Sequence, residues 1–207
     1  MLKMWLRARG SSANLLADRS GIAATEFAVI VPVLLLMFFG LVEFSSGVAA
    51  DRKVTLVART LSDLTSQSTT VSDIDLSNFG QAAKAVMTPY SATPLKSMIS
   101  ELYVEPTTLN ARVQWTRAWT IDASGNVLFG SSSHSPKDIV AIPPALKIAG
   151  TYLIYSEVSY RYTPAVGYVM GKTGVNLSDF PIRALANRAA SCIAPPFVRP
   201  CSVCTTS

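Results

Sequence analysis

Three sets of side chains here have chemistry to offer: a carboxylate set in an apolar run, one histidine and three cysteines. Glu26 is the only charged residue between Ile22 and Val42. A charge carried into a bilayer costs on the order of 2.5 to 3.5 kcal/mol at its centre and less near an interface, so an answering group is expected. His134 sits in Ser131-Ser132-Ser133-His134-Ser135-Pro136. A catalytic reading needs a nucleophile, a base and an orienting acid together, and one histidine in a serine-rich loop supplies little of that. Asp138 follows closely, but Pro136 between them argues against a shared helix face. With no second histidine and no cysteine beside it there is no zinc pattern. The expectation is an exposed histidine without a special role, and no catalytic residue, metal or cofactor is assigned.

The cysteines, Cys192, Cys201 and Cys204, crowd the C-terminus. In an oxidising compartment one disulfide is expected, Cys192 with Cys201 or Cys204 closing a proline-bearing loop and leaving one thiol over. Cys201-Ser-Val-Cys204 has the spacing of a redox motif but lies in a tail without a βαβ context, which favours structural pairing or an intermolecular bond.

The elements that must position these groups begin with the apolar run. About 20 residues at about 1.5 Å each cross a hydrocarbon core roughly 30 Å thick, so one spanning helix is expected over 22–42. Pro32 lies inside it and removes the bond to the Ala28 carbonyl, which predicts a kink or local loosening that a membrane helix tolerates. Ahead of the run stand Lys3, Arg7, Arg9 and Arg19 against Asp18 alone. A basic flank of this kind stays in the cytoplasm, so 1–21 reads as a cytoplasmic leader and the C-terminal bulk as exported.

That leader holds three of the five net positive charges, so the basic balance of the whole chain says little about nucleic acid. No cluster of Lys and Arg interleaved with aromatics follows Lys53, and no nucleic-acid partner is expected. The roughly 160 residues after the helix are enough for one core of ordinary domain size.

The order Gly21, a four-residue spacer, Glu26-Phe27 and a hydrophobic helix resembles the class III processing signal of Flp-type prepilins and their pseudopilin relatives. The run Ala24-Thr25-Glu26-Phe27-Ala28-Val29-Ile30-Val31-Pro32, closing on Phe39-Gly40-Leu41-Val42-Glu43-Phe44, is similar to the TadE/TadG-like family of the tight-adherence pilus system. Glu157 to Pro164 resembles the late strand of the periplasmic domains of that family. The resemblance implies cleavage between Gly21 and Ile22 by a membrane aspartyl prepilin peptidase, residence in the bacterial inner membrane, and other pilin or pseudopilin subunits as partners. Cleavage would free an ammonium at Ile22, about 6 Å along the axis from Glu26, and a neighbouring subunit staggered along its own axis would present its amine to this carboxylate. The plainer alternative is a first-turn acid favoured by the helix dipole and hydrated at the interface.

Beyond the membrane, Val54, Val57, Ala58, Leu61 and Leu64 recur at helical spacing, which continues the helix over 43–64 to a total on the order of 65 Å. A polar loop, Thr65 to Thr70, precedes a second helix capped by Ser72 or Ser77, with Phe79, Ala82, Ala83, Val86 and Met87 as its apolar face, and ended by Pro89. The period then becomes two. Met98, Ser100, Leu102 and Val104 share one strand face, and Val113, Trp115, Trp119 and Ile121 share a face of the next. Asp122 to Asn126 turns the chain back into Val127 to Phe129. Further strands are expected over Ile154 to Tyr162 and over Phe180 to Ala190, the last with a helix as the alternative. The two tryptophans are read as core and not as an exposed binding stripe.

The expected fold is α+β and pilin-like: a long N-terminal transmembrane helix extending into a periplasmic head over 65–191, with a second helix and an antiparallel sheet, and a cysteine-bearing tail over 192–207. Two function classes follow. One is a minor pilin or pseudopilin acting in pilus assembly and surface adhesion; the other is a secreted or anchored binding domain with a conventional signal cleaved after Ala50, where Val48-Ala49-Ala50 offers small residues.

Overall fold

A computed structural model describes residues 20–164 and 180–190 of the chain. The fold is α+β, with a long N-terminal apolar helix, a second helix and an antiparallel sheet. Helix α1 spans Ser20–Ser66, continues through Pro32 and ends two residues beyond the expected Leu64. Two compact units divide at Ser45 and Ser46. In the first, the side chains from Gly21 to Val42 are exposed almost without interruption.

The second unit takes its core from both periods read in the sequence. Helix α1 contributes Ala50, Val54, Val57, Ala58 and Leu61, all fully buried. Helix α2, Asp73–Met87, is capped by Ser72 and not Ser77. The Ser72 hydroxyl accepts from the Asp75 backbone N–H at 3.2 Å, while the Asp75 carboxylate accepts from the Ser72 N–H at 2.9 Å. These reciprocal bonds satisfy two donors that a helix start leaves orphaned. At the other end Lys53 of α1 donates to the carbonyls of Val86 and Thr88 at 2.9 and 2.7 Å, so a cation from one helix closes the other.

The expected face of α2 is turned slightly from the observed one. Leu76, Gly80, Ala83 and Met87 are buried, while Phe79 and Val86 pack at the margin. Gly80 is the reason. A β-carbon there would stand 2.5 Å from Val127 Cγ2 and 3.2 Å from Trp119 Nε1, so the bare glycine lets the backbone meet the sheet.

The six described strands form one antiparallel sheet in the order β3-β2-β1-β5-β6, with β4 also against β2. They are β1 Lys96–Val104, β2 Ala111–Ile121, β3 Val127–Gly130, β4 Ile139–Val140, β5 Tyr152–Tyr162 and β6 Phe180–Ala190. The last segment is therefore a strand and not the alternative helix. Ile99, Trp115, Trp119, Ile154 and Val158 join the helices in one core. Leu102, Val104, Ala111, Val113, Leu153 and Tyr155 form a second, smaller core with Val140 and Ile142.

Val113 thus departs from the face expected for it. Glu101 pairs with Trp115 but Leu102 pairs with Val113, leaving Gln114 without an opposite residue. One extra residue in a strand reverses which side later side chains take, so Val113 leaves the tryptophan face for the second core.

Candidate functional site

The apolar half of α1 is built around few polar atoms. The Thr25 hydroxyl donates to the Ile22 carbonyl at 2.8 Å, returning its polarity to the helix backbone. Glu26 has no such outlet: it is exposed and makes no hydrogen bond or ion pair among the described residues. It borders a shallow hollow on the helix surface with Thr25, Val29 and Ile30. Phe27 beside it is 68% exposed.

Glu26 lies within helix α1, Ser20–Ser66. Gly21 and Ile22 are helical and are among the first described residues of α1. A β-carbon on Gly21 would meet nothing within 4 Å among the described residues, so packing does not demand a glycine there. Pro32 sits in the middle of the run. Among the described residues one helix, this one, is long and apolar enough to cross a membrane.

Cys192, Cys201 and Cys204 lie outside the described residues, as does the leader up to residue 19. The tryptophans are core, as expected: Trp119 is 1% and Trp115 is 7% exposed.

His134 differs from its expectation. It is half-buried, with its Nε2 3.6 Å from the Glu157 carboxylate and its ring edge-on to Tyr155, 6.0 Å between centroids. Asp138 turns back instead and accepts from the Ser135 N–H at 2.6 Å. Burial, and after it the nearby Glu157 charge, pushes the Tyr155 phenol up from its ordinary value. Beside this cluster a cavity of about 360 Å³ is lined by Lys96, Met98, Thr120, Ser131, Ser133 and Glu157 among others. Sequence reasoning missed this arrangement because the loop bearing His134 crosses strands that are distant in the chain. The one local signal was a run of hydroxyls too long for an ordinary turn.

The remaining perturbed carboxylates hold turns and caps. Hydrogen bonds from Asn126, backbone before side chain, lower the Asp122 carboxyl, and Thr108 and then Arg112 lower Glu105. Asp122 closes the expected turn by accepting from the Asn126 N–H at 2.7 Å, with Gly125 at a φ of 87° that favours glycine.

No curated protein and no solved structure matches the chain. Residues 21–62, which hold Gly21, Glu26, Phe27, Pro32 and the buried stripe from Val54 to Leu61, match the family model of TadE-like protein, so the chain carries a TadE-like segment there.

Proposed function

We propose that this protein is a minor pilin or pseudopilin of a tight-adherence, Flp-type pilus, acting in pilus assembly and surface adhesion. A prepilin peptidase cuts between Gly21 and Ile22, the helix from Ile22 to Val42 spans the inner membrane once, and the head lies in the periplasm. Other pilin or pseudopilin subunits are its partners. Its work is structural: to offer an apolar helix and a folded head to an assembly.

The observation that carries this reading is Glu26, without a partner among the described residues, in an exposed apolar run. Nearly all side chains from Ile22 to Phe44 are exposed among the described residues, and lipid or neighbouring helices are the cover such a run calls for. A carboxylate kept in such a run is a functional residue by default, and an amine freed at Ile22 of a neighbour is a partner of the right charge at the right depth. Gly21 fits the same reading. Nothing among the described residues packs where a β-carbon on Gly21 would stand, so packing does not call for a glycine there. A requirement for a small residue at the peptidase site accounts for its presence.

The secreted alternative fares worse on one point. A cut after Ala50 would remove Ala50 itself, fully buried in the head, and Ser46, whose carbonyl accepts from the Tyr90 hydroxyl.

The test is Glu26→Ala in the native host. Insertion into the membrane is expected to be unchanged and incorporation into the assembly to fall at least tenfold; normal incorporation of the mutant would count against the pairing.

A further inference from the structure

We propose that Ser131–Ser135 is a pH-sensitive strap across the outer face of the sheet, latched by His134 onto Glu157 when the imidazole carries a proton. The idea is independent of the pilus reading and rests on where the strap lies. The chain leaves β3 at the sheet margin and returns to that margin at β4, which pairs with Ala111 and Arg112 of β2. Between the two it passes over β2 and β1 and reaches β5.

Its anchors mark that path. The Ser132 hydroxyl lies 2.6 Å from the Thr116 hydroxyl of β2 and donates to the Met98 sulfur of β1 at 2.9 Å. Ser133 donates to the same sulfur at 3.4 Å. His134 then reaches Glu157 and Tyr155 of β5. Thioether acceptors are weak, so besides the histidine the strap is held mainly by the Ser132–Thr116 hydroxyl pair.

His134 is the single histidine of the chain, and imidazole is the side chain whose charge ordinarily changes between about pH 5 and 8. At 3.6 Å the contact with Glu157 is too long for a hydrogen bond with a neutral ring. Gaining a proton makes it an ion pair, so the latch is present at low pH and lost as pH rises. The other charged or titratable groups around it do not replace this switch. Tyr155 is pushed up by burial and stays neutral over that range. Asp138 is turned toward the Ser135 N–H, and Lys137 follows Pro136 on the exposed side of the loop. Lys96 lines the same cavity as Glu157, and Arg183 of β6 stands opposite Ser159 in register.

Glu157 is shared between latch and cavity, and Ser131 and Ser133 form the cavity's wall. Closing the latch therefore draws the wall toward its floor. For a pair about a quarter exposed, the closed-to-open ratio is expected to rise about two- to fivefold between pH 8 and pH 5.

The experiment is ¹³C-methyl methionine NMR of the full chain in detergent micelles. Met98 lies under the strap and reports it. Met87, fully buried in the core on the helix side, reports the fold. The Met98 resonance is expected to move between pH 8 and pH 5 while Met87 does not, and the Met98 response is expected to vanish in both His134→Gln and Glu157→Gln. A Met98 resonance that ignores pH in the native protein, or that still responds in Glu157→Gln, would overturn the proposal. Should Met87 shift in a glutamine variant, His134→Lys decides: a fixed cation should hold Met98 at pH 8 where the native protein holds it at pH 5, and any other position overturns the latch.

Discussion

The Tyr90 hydroxyl donates to the carbonyl oxygen of Ser46 at 3.0 Å, tying the turn after α2 to the α1 backbone five residues ahead of Asp51. The Tyr90 ring also stands edge-on to Tyr162 of β5, 6.2 Å between centroids. Residues 46–50 are thus part of the folded head and not a spacer in front of it.

A chain that starts at Asp51 should therefore be less stable than one that starts at Ser45. It loses one hydrogen bond, worth about 1 kcal/mol, together with the buried Ala50 methyl. The expected loss is about 2 kcal/mol, read from urea midpoints of the two chains with unchanged slope. Equal midpoints would mean that this end of α1 only passes the head by.

Gly80→Ala should destabilise the head by about 1 kcal/mol despite alanine's better helix propensity. The added methyl meets Val127 Cγ2 at 2.5 Å, and a β-branched side chain has little freedom to turn aside. Val127→Ala should remove the penalty, so that Gly80→Ala becomes neutral or stabilising in that background. A double-mutant cycle with no coupling would contradict the close approach.

Ser72→Ala should lower the thermal midpoint by a few degrees through loss of the capping box. The pH dependence has a definite sign. Side-chain and then backbone hydrogen bonds to Ser72 hold the Asp75 carboxyl below its ordinary value of 3.8, so its contribution is present above that value and fades as pH falls through the lower folded one. The midpoints of the native protein and Asp75→Asn should converge once the pH lies below that folded value. A gap that persists there would assign the effect to packing and not to the ionised cap.

The two helices were legible because their signals are local: an uninterrupted apolar run, a stripe at 54, 57, 58 and 61, and a serine three residues ahead of an aspartate. The strands were legible by alternation. What failed were the features set by sheet register. Gln114 looks like any alternating polar residue, yet as the unpaired member of a bulge it sends Val113 to the other core. Gly80 gives no sign in the sequence that Val127 and Trp119 wait opposite. His134 read as an idle loop residue because Glu157 and Tyr155 stand more than 20 positions away. At the apolar helix the position of Glu26 was plain from the sequence, because a single charge in an apolar run is a local signal.

The central claim is that the head is delivered to an assembly on a helix whose first residue is Ile22. Intact-mass and N-terminal peptide analysis of the protein purified from its native host tests it most directly. The account predicts a chain that begins at Ile22, lost on Gly21→Leu, which should leave the leader attached. A chain that begins at Met1 while pili form normally, or one that begins at Asp51, would contradict it.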